Sequence, residues 1–324
     1  MEGNIRKSRV IKKSDNFPSY INSLCALSDG RLAIGGGNLI IYNMKTYKID
    51  ILIDTQICIK EIKELSNNRL FYYTYSIDSE GPWVDENIDN YIIEINNNKY
   101  TDLTECLPKT QRHYNIINEF SDSILITGRY YKEQNNQIDE RIDKLMKIDN
   151  KFQIVSTLKI ANLINFILLK NNLIAVLFQL NKNTKNTNCL NFYDAKIFKL
   201  IKNINVENTE IISMLNEKFI LLGYLKGIIV YDYINFINIK KILIQYPLSK
   251  IYICENFVYI GESEEYDYKL KSCKNRIVEY EYDGKGNFKK IYSYYKPQNR
   301  IIDFVKVKDG RLITCSSENV KIWY

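Results

Sequence analysis

Several kinds of residue pattern are missing from this chain, and each absence removes a class of protein. Its seven cysteines (Cys25, Cys58, Cys106, Cys189, Cys254, Cys273 and Cys315) are odd in number and include no CxxC pair, which argues against a disulfide framework and against a thiolate metal cluster. A single histidine, His113, cannot build a multi-histidine metal site, and no metal or cofactor is expected. Asparagine is abundant, yet no N-x-S/T acceptor occurs; a reducing setting, cytoplasmic or alternatively nuclear, fits better than secretion. The formal charge of +7 is spread among interspersed acids and bases with no tract of five or six like charges, so dedicated nucleic-acid binding is not expected. Residues 1–13 carry Arg6, Lys7, Arg9, Lys12 and Lys13 but no apolar core of signal-peptide length. The longest apolar stretch, Leu163 to Leu180, is broken by Lys170-Asn171-Asn172 and reads as two strands about a turn, so no membrane segment is expected.

What is present is a folded-domain composition, 45% hydrophobic over 324 residues. Richness in Ile, Asn, Lys and Tyr is a property of the whole chain, so no single Asn or Tyr run carries functional weight by itself. The informative feature is a recurring unit of an apolar run, a short polar turn, a second apolar run, and a third ending near an aromatic residue or Asp. It opens as Ile21 to Leu27, Ser28-Asp29-Gly30, Arg31 to Gly35 and Asn38 to Asn43. It closes as Ile301 to Val307, Lys308-Asp309-Gly310, Arg311 to Ser316 and Val320 to Tyr324. Asp-Gly between apolar runs signals a hairpin, because glycine takes the positive φ of a tight turn without steric cost. Weaker copies place Asn67-Asn68, Asp122, Asn171-Asn172, Asn216-Glu217 and Glu255-Asn256 there.

With the first strand of each unit called A, starts fall near Ile21, Ile57, Tyr114, Leu163, Glu210, Leu248 and Ile301, a mean spacing of about 47 residues. C strands end at Asn43, Ile95, Asp149, Asp194, Asp232, Tyr282 and Tyr324, and outer D strands follow six of them. The seventh D strand is missing at the C-terminus, and Ile5 to Ile11 has the strand character to supply it. The reading is a single all-β domain over 1–324: a seven-bladed β-propeller in which 1–13 contributes the closing outer strand of the last blade.

Several C strands end in Tyr-Asp or Ile-Asp, and Val320-Lys321-Ile322-Trp323 stands where WD repeats carry their Trp-Asp ending. The pattern resembles the WD-repeat propellers, in degenerate form, over essentially the whole chain. No repeat keeps the family's Gly-His pair, so the side-chain network of His, Ser, Asp and Trp is expected to be absent. Kelch propellers fit less well, since Gly-Gly doublets are missing apart from Gly35-Gly36-Gly37.

Propeller connectivity puts B-to-C and D-to-A connections at one end of the blades. The insertions lie there: Tyr75 to Asn90, Tyr130 to Ile142, Leu180 to Asn188 and Ser263 to Asn275, with Thr104 to His113 and Tyr295 to Arg300. Such loops carry recognition on a rigid scaffold. The 76–89 loop holds five acids and no base around Trp83, which is either an interface anchor or a pin onto its own blade; its spacing lacks an EF-hand pattern. The candidate partner-binding residues are Trp83, Asp85, Glu86, Arg112, His113, Arg129, Tyr130, Tyr131, Tyr266, Tyr268, Tyr295 and Arg300. The resemblance implies a non-enzymatic scaffold for a protein or peptide partner, with no small-molecule substrate. The alternatives are a structural subunit bound through blade edge or bottom, and a funnel-site hydrolase or lyase. The latter lacks any Ser-His-Asp, Cys-His or multi-His arrangement and would have to work with carboxylate pairs.

Overall fold

The computed structural model of the chain describes residues 8–11, 20–55, 58–77, 86–96, 98–107, 117–120, 123–134, 137–149, 151–180, 187–263, 275–296, 301–316 and 319–324. For 75–77, 86–89, 117, 120, 129–134, 137–142, 187, 207 and 295–296 it describes the backbone alone.

A short strand β1 (Ser8–Ile11) precedes the first complete meander, β2 (Ile21–Ala26), β3 (Leu32–Gly36), β4 (Asn38–Asn43) and β5 (Lys48–Asp54). The second is β6 (Cys58–Leu65), β7 (Arg69–Ile77), β8 (Glu86–Asn96) and β9 (Lys99–Asp102); the third is β10 (Ile117–Phe120), β11 (Ser123–Gln134), β12 (Gln137–Asp149) and β13 (Ile154–Ile160). The fourth is β14 (Leu163–Leu169), β15 (Leu173–Gln179), β16 (Thr187–Asp194) and β17 (Leu200–Glu207); the fifth is β18 (Thr209–Met214), β19 (Phe219–Tyr224), β20 (Gly227–Asp232) and β21 (Ile237–Leu243). The sixth is β22 (Leu248–Cys254), β23 (Phe257–Ser263), β24 (Asn275–Tyr282) and β25 (Phe288–Lys296), and the last is β26 (Asp303–Lys306), β27 (Leu312–Cys315) and β28 (Val320–Trp323). Each is a four-stranded sheet in chain order except the last, whose fourth place is taken by β1. There Ser8 pairs with Trp323 and Ile11 with Val320, so the expected closure is present over 8–11.

The chain divides into two compact units, one of residues 1–117, 150–153 and 299–324, the other of 118–149 and 154–298. In the first, β2 packs against β6 on one side and β26 on the other; in the second, β14 packs against β18 and β18 against β22. These sheets therefore meet through their A strands and bury aliphatic faces. Ile41, Ile53, Ile59, Ile62 and Leu70 fill one such layer in the first unit; Leu221, Val230, Ile251 and Ile260 fill one in the second. A Cβ on Gly35 would come within 2.7 Å of Ile59 Cγ2 and 2.8 Å of Ile62 Cδ1, so glycine is what lets those sheets approach.

The turns follow local chemistry. Gly30 (φ 89°) and Gly310 (φ 88°) close identical A–B hairpins, while Asn67-Asn68 and Asn171-Asn172 take positive φ at both central positions. Asn216 closes its turn differently: its Oδ1 accepts from the Lys218 and Phe219 backbone N–H groups, both at 2.8 Å. The repeat is deeper in the backbone than in the sequence. A bulge recurs early in the A strand of five sheets, at Ile21/Ser23, Ile59/Glu61, Leu163/Asn165, Thr209/Ile211 and Leu248/Lys250.

Candidate functional site

Of the twelve residues singled out from the sequence, Trp83, Asp85, Arg112, His113, Tyr266, Tyr268 and Arg300 lie outside the described residues. The backbone places Glu86 in β8, Arg129, Tyr130 and Tyr131 in β11, and Tyr295 in β25. This changes the nature of one expected loop. Tyr130 to Ile142 is not a loop but the continuation of β11 and β12, whose ladder runs from Ser123↔Asp149 out to Gln134↔Gln137. β13 follows β12 only as far as Asp143↔Ile160, so β11 and β12 stay paired as a ribbon beyond the reach of that outer strand. Five residues of strand, Tyr130 to Gln134, reach roughly 17 Å at 3.4 Å each. Tyr75 to Asn90 is likewise shortened, because β7 and β8 stay paired out to Ile77↔Glu86.

The described base of this end is stiff. In the second unit Glu262 and Arg276 stand directly opposite each other on β23 and β24. Their side chains are 0% and 9% exposed and form an ion pair at 2.9 Å. The Glu262 carboxylate also accepts from the backbone N–H groups of Gln245 and Tyr246, both at 2.9 Å. Arg276 Nη1 donates to Gln245 Oε1 at 2.7 Å, and its guanidinium lies 5.4 Å from the Tyr246 ring centroid. The pair thereby fastens the connection from β21 to β22 onto the sixth sheet. Two charges withdrawn from water repay their desolvation only with close pairing and added hydrogen bonds of this kind. Sequence reasoning missed both residues, although a charged residue near the end of each of two adjacent apolar strands was a usable signal. Single polar groups do the same elsewhere: Asp303 Oδ2 accepts from Leu24 N at 2.8 Å and Ser23 Oγ from Ile62 N at 3.0 Å in the first unit. Asp143 Oδ2 accepts from Leu163 N at 3.0 Å in the second.

The opposite end of the sheets is held by short turns. In Asp309-Gly310-Arg311 the carboxylate accepts from Arg311 N at 3.2 Å and pairs with its guanidinium, which also donates to Tyr47 Oη at 2.9 Å and Met44 O at 3.1 Å. This pairing lowers the Asp309 carboxyl pKa and raises that of Arg311. Arg31 repeats the arrangement, pairing with Asp29 at 2.7 Å and reaching Asn98 Oδ1 at 3.3 Å. Several C–D turns that open on an Asx are capped from within. Asn43, Asp194 and Asp232 accept two backbone N–H groups each, and Tyr47, Phe198 and Phe236 follow with φ of 57°, 54° and 58°. Burial pushes the Asp232 carboxyl up, but the Asn235 and Ile234 donors outweigh it and hold it below the ordinary value.

No family model matches the chain, and no curated protein sequence matches it. Solved structures do. A chain of the "Crystal Structure of Mitotic Checkpoint Complex" is similar at TM-score 0.67 and 11% identity, over 98% of this chain and 93% of that one. BamB from Moraxella catarrhalis is similar at TM-score 0.52 and 12% identity, over 94% and 85%. The fold is a seven-bladed β-propeller. At these identities the likeness carries architecture and nothing finer. In the last blade Trp323 Nε1 donates to Thr314 Oγ1 at 3.1 Å, a buried side-chain link between its second and third strands.

The corresponding position of the fifth blade behaves differently. Trp323 pairs in register with Leu312, and Tyr231 with Ile220; two residues on, Thr314 is matched by Leu222. The Tyr231 hydroxyl, buried, has no hydrogen-bond partner among the described residues, and neither has that of Tyr224. Such a group costs about 1–3 kcal/mol. Burial, and then the nearby Asp232 charge, push the Tyr231 phenol up to about 12. Among the described residues no three His, Cys, Asp or Glu side chains gather as a metal site.

Proposed function

We propose that this propeller is a non-enzymatic interaction scaffold that captures a protein or peptide partner through the end of its blades where the long connections lie. The observation that carries the reading is the β11–β12 ribbon, which bears Arg129, Tyr130 and Tyr131 and runs beyond the reach of its flanking strand. A pair of strands that runs past its outer neighbour can offer backbone groups to an extended segment of another molecule. Arg and Tyr are the residue types that most often dominate such contacts. The Glu262–Arg276 pair supports the reading because it fixes another of the connections at that end of the blades, reducing the ordering cost of binding there. A structural neighbour belonging to a multi-protein complex is in keeping with a protein partner.

The test is quantitative affinity purification from the native host with three proteins: the intact chain, a variant with 130–142 replaced by an Asn-Gly turn, and a variant lacking Asp78 to Asp89. Partners held by the intact chain should fall by at least about tenfold with one or both variants, a loss of about 1.4 kcal/mol or more. Retention of the same partners by both variants, with unchanged circular dichroism, would move recognition to the blade edge or the opposite end.

A further inference from the structure

A cavity of about 480 Å³ lies in the second unit between β17, the outer strand of the fourth blade, and β19, β20 and β21 of the fifth. Its apolar lining includes Ile204, Leu222, Ile229 and Phe236. Two further features separate it from an ordinary packing gap.

The first is the pair of tyrosines. Both Tyr224 and Tyr231 line the cavity, Tyr231 is only 4% exposed, and the hydroxyls of both are the ones left without a partner among the described residues. A hydroxyl both donates and accepts, and buried ones in folded proteins are nearly always satisfied. Both hydroxyl oxygens are covered in this conformation, Tyr224 beneath Lys241. A ligand that draws the lysine aside and brings donor and acceptor groups of its own, as a peptide main chain does, would satisfy hydroxyls left without a partner among the described residues.

The second is charge and its surroundings. Lys241 is the one charged residue on the lining, an exposed side chain whose Nζ lies 4.8 Å from the Tyr224 ring centroid. β17 and β21 together carry Lys202, Lys240 and Lys241 against a single acid, Glu207. The same strands present Leu200, Ile201, Ile237 and Leu243 to solvent, Leu243 at 74% exposure. Apolar side chains interleaved with lysines suit a ligand that is both apolar and acidic.

We propose that this groove is a second recognition site, independent of the β11–β12 ribbon, for an extended acidic peptide segment bearing an apolar side chain. The apolar side chain seats on Leu222, Ile229 and Phe236. A main-chain amide meets the tyrosine hydroxyls, and a carboxylate draws Lys241 away from the Tyr224 ring it covers.

Fluorescence anisotropy on the full chain tests this with a labelled heptapeptide, Glu-Leu-Glu-Phe-Glu-Leu-Glu. Two controls accompany it, one with every Glu replaced by Lys and one with Leu and Phe replaced by Ser. Saturable binding is expected for the first peptide alone. Lys241→Glu should weaken it about tenfold or more, given attraction turned to repulsion at a partly desolvated site. The Tyr224→Phe/Tyr231→Phe double variant should weaken it about fivefold or more while keeping or raising the thermal midpoint, since it deletes only unpartnered hydroxyls. Should that pair fail to fold, Lys241→Glu on its exposed strand carries the test. The 130–142 replacement should bind as tightly as the intact chain, which separates this site from the scaffold reading. Absence of saturable binding, equal affinity for the Lys control, loss on ribbon replacement, or unchanged affinity in the double Phe variant would each overturn the proposal. The last outcome would mark the hydroxyls as remnants of repeat drift.

Discussion

Arg311 with Asp309 and Arg276 with Glu262 are the same pair of charges doing related work at opposite depths. The first leaves Asp309 49% exposed and ties a turn of the last blade to Met44 and Tyr47 of the first. The second is sealed, and holds the connection between the fifth and sixth blades through Gln245 and Tyr246. An exposed pair gains little because water and salt compete for both partners. A buried pair contributes little net, yet removing one partner leaves the other charged and stranded in low dielectric. The propeller thus uses the tolerant version where turns meet solvent and the unforgiving one beneath its long connections.

That contrast sets the size of the expected effects. Arg276→Ala should destabilise the chain by about 3–5 kcal/mol in urea denaturation, the usual consequence of stranding a buried carboxylate. A well-packed Glu262→Leu/Arg276→Met double variant should lose much less, and equal losses would remove the distinction drawn from burial. Asp232→Ala comes next, at about 1–2 kcal/mol, because two backbone N–H groups and Asn235 lose their acceptor. Since its folded carboxyl sits below the ordinary value of 3.8, the stability it contributes is complete above that value. The gap between wild type and Asp232→Ala should therefore stay constant near neutrality and close as pH falls below about 4. Smallest is Arg311→Lys, about 0.5 kcal/mol and further reduced in high salt, because an ammonium cannot keep the Asp309 fork and the Met44 and Tyr47 contacts together.

The two pairs also differ in how visible they are along the chain. Asp309-Gly310-Arg311 is contiguous, and its hairpin follows from glycine's positive φ, so the turn was legible before any coordinates. Glu262 and Arg276 are fourteen residues apart across an insertion; only the antiparallel register sets them opposite one another. The ribbon was hidden for a related reason. Its polar residues, Lys132 to Glu140, read as a loop because they show no alternation of apolar and polar side chains.

Local rules were enough for the seven sheets, their strand order and the closure by Ser8–Ile11, since period-2 burial and tight turns act between neighbours in the chain. The buried ion pair, the buried hydroxyls of Tyr224 and Tyr231 and the cavity beside Lys241 arise where residues from separate strands or blades are packed against one another. Their chemistry depends on which groups that packing cuts off from water, and no short stretch of residues carries that information.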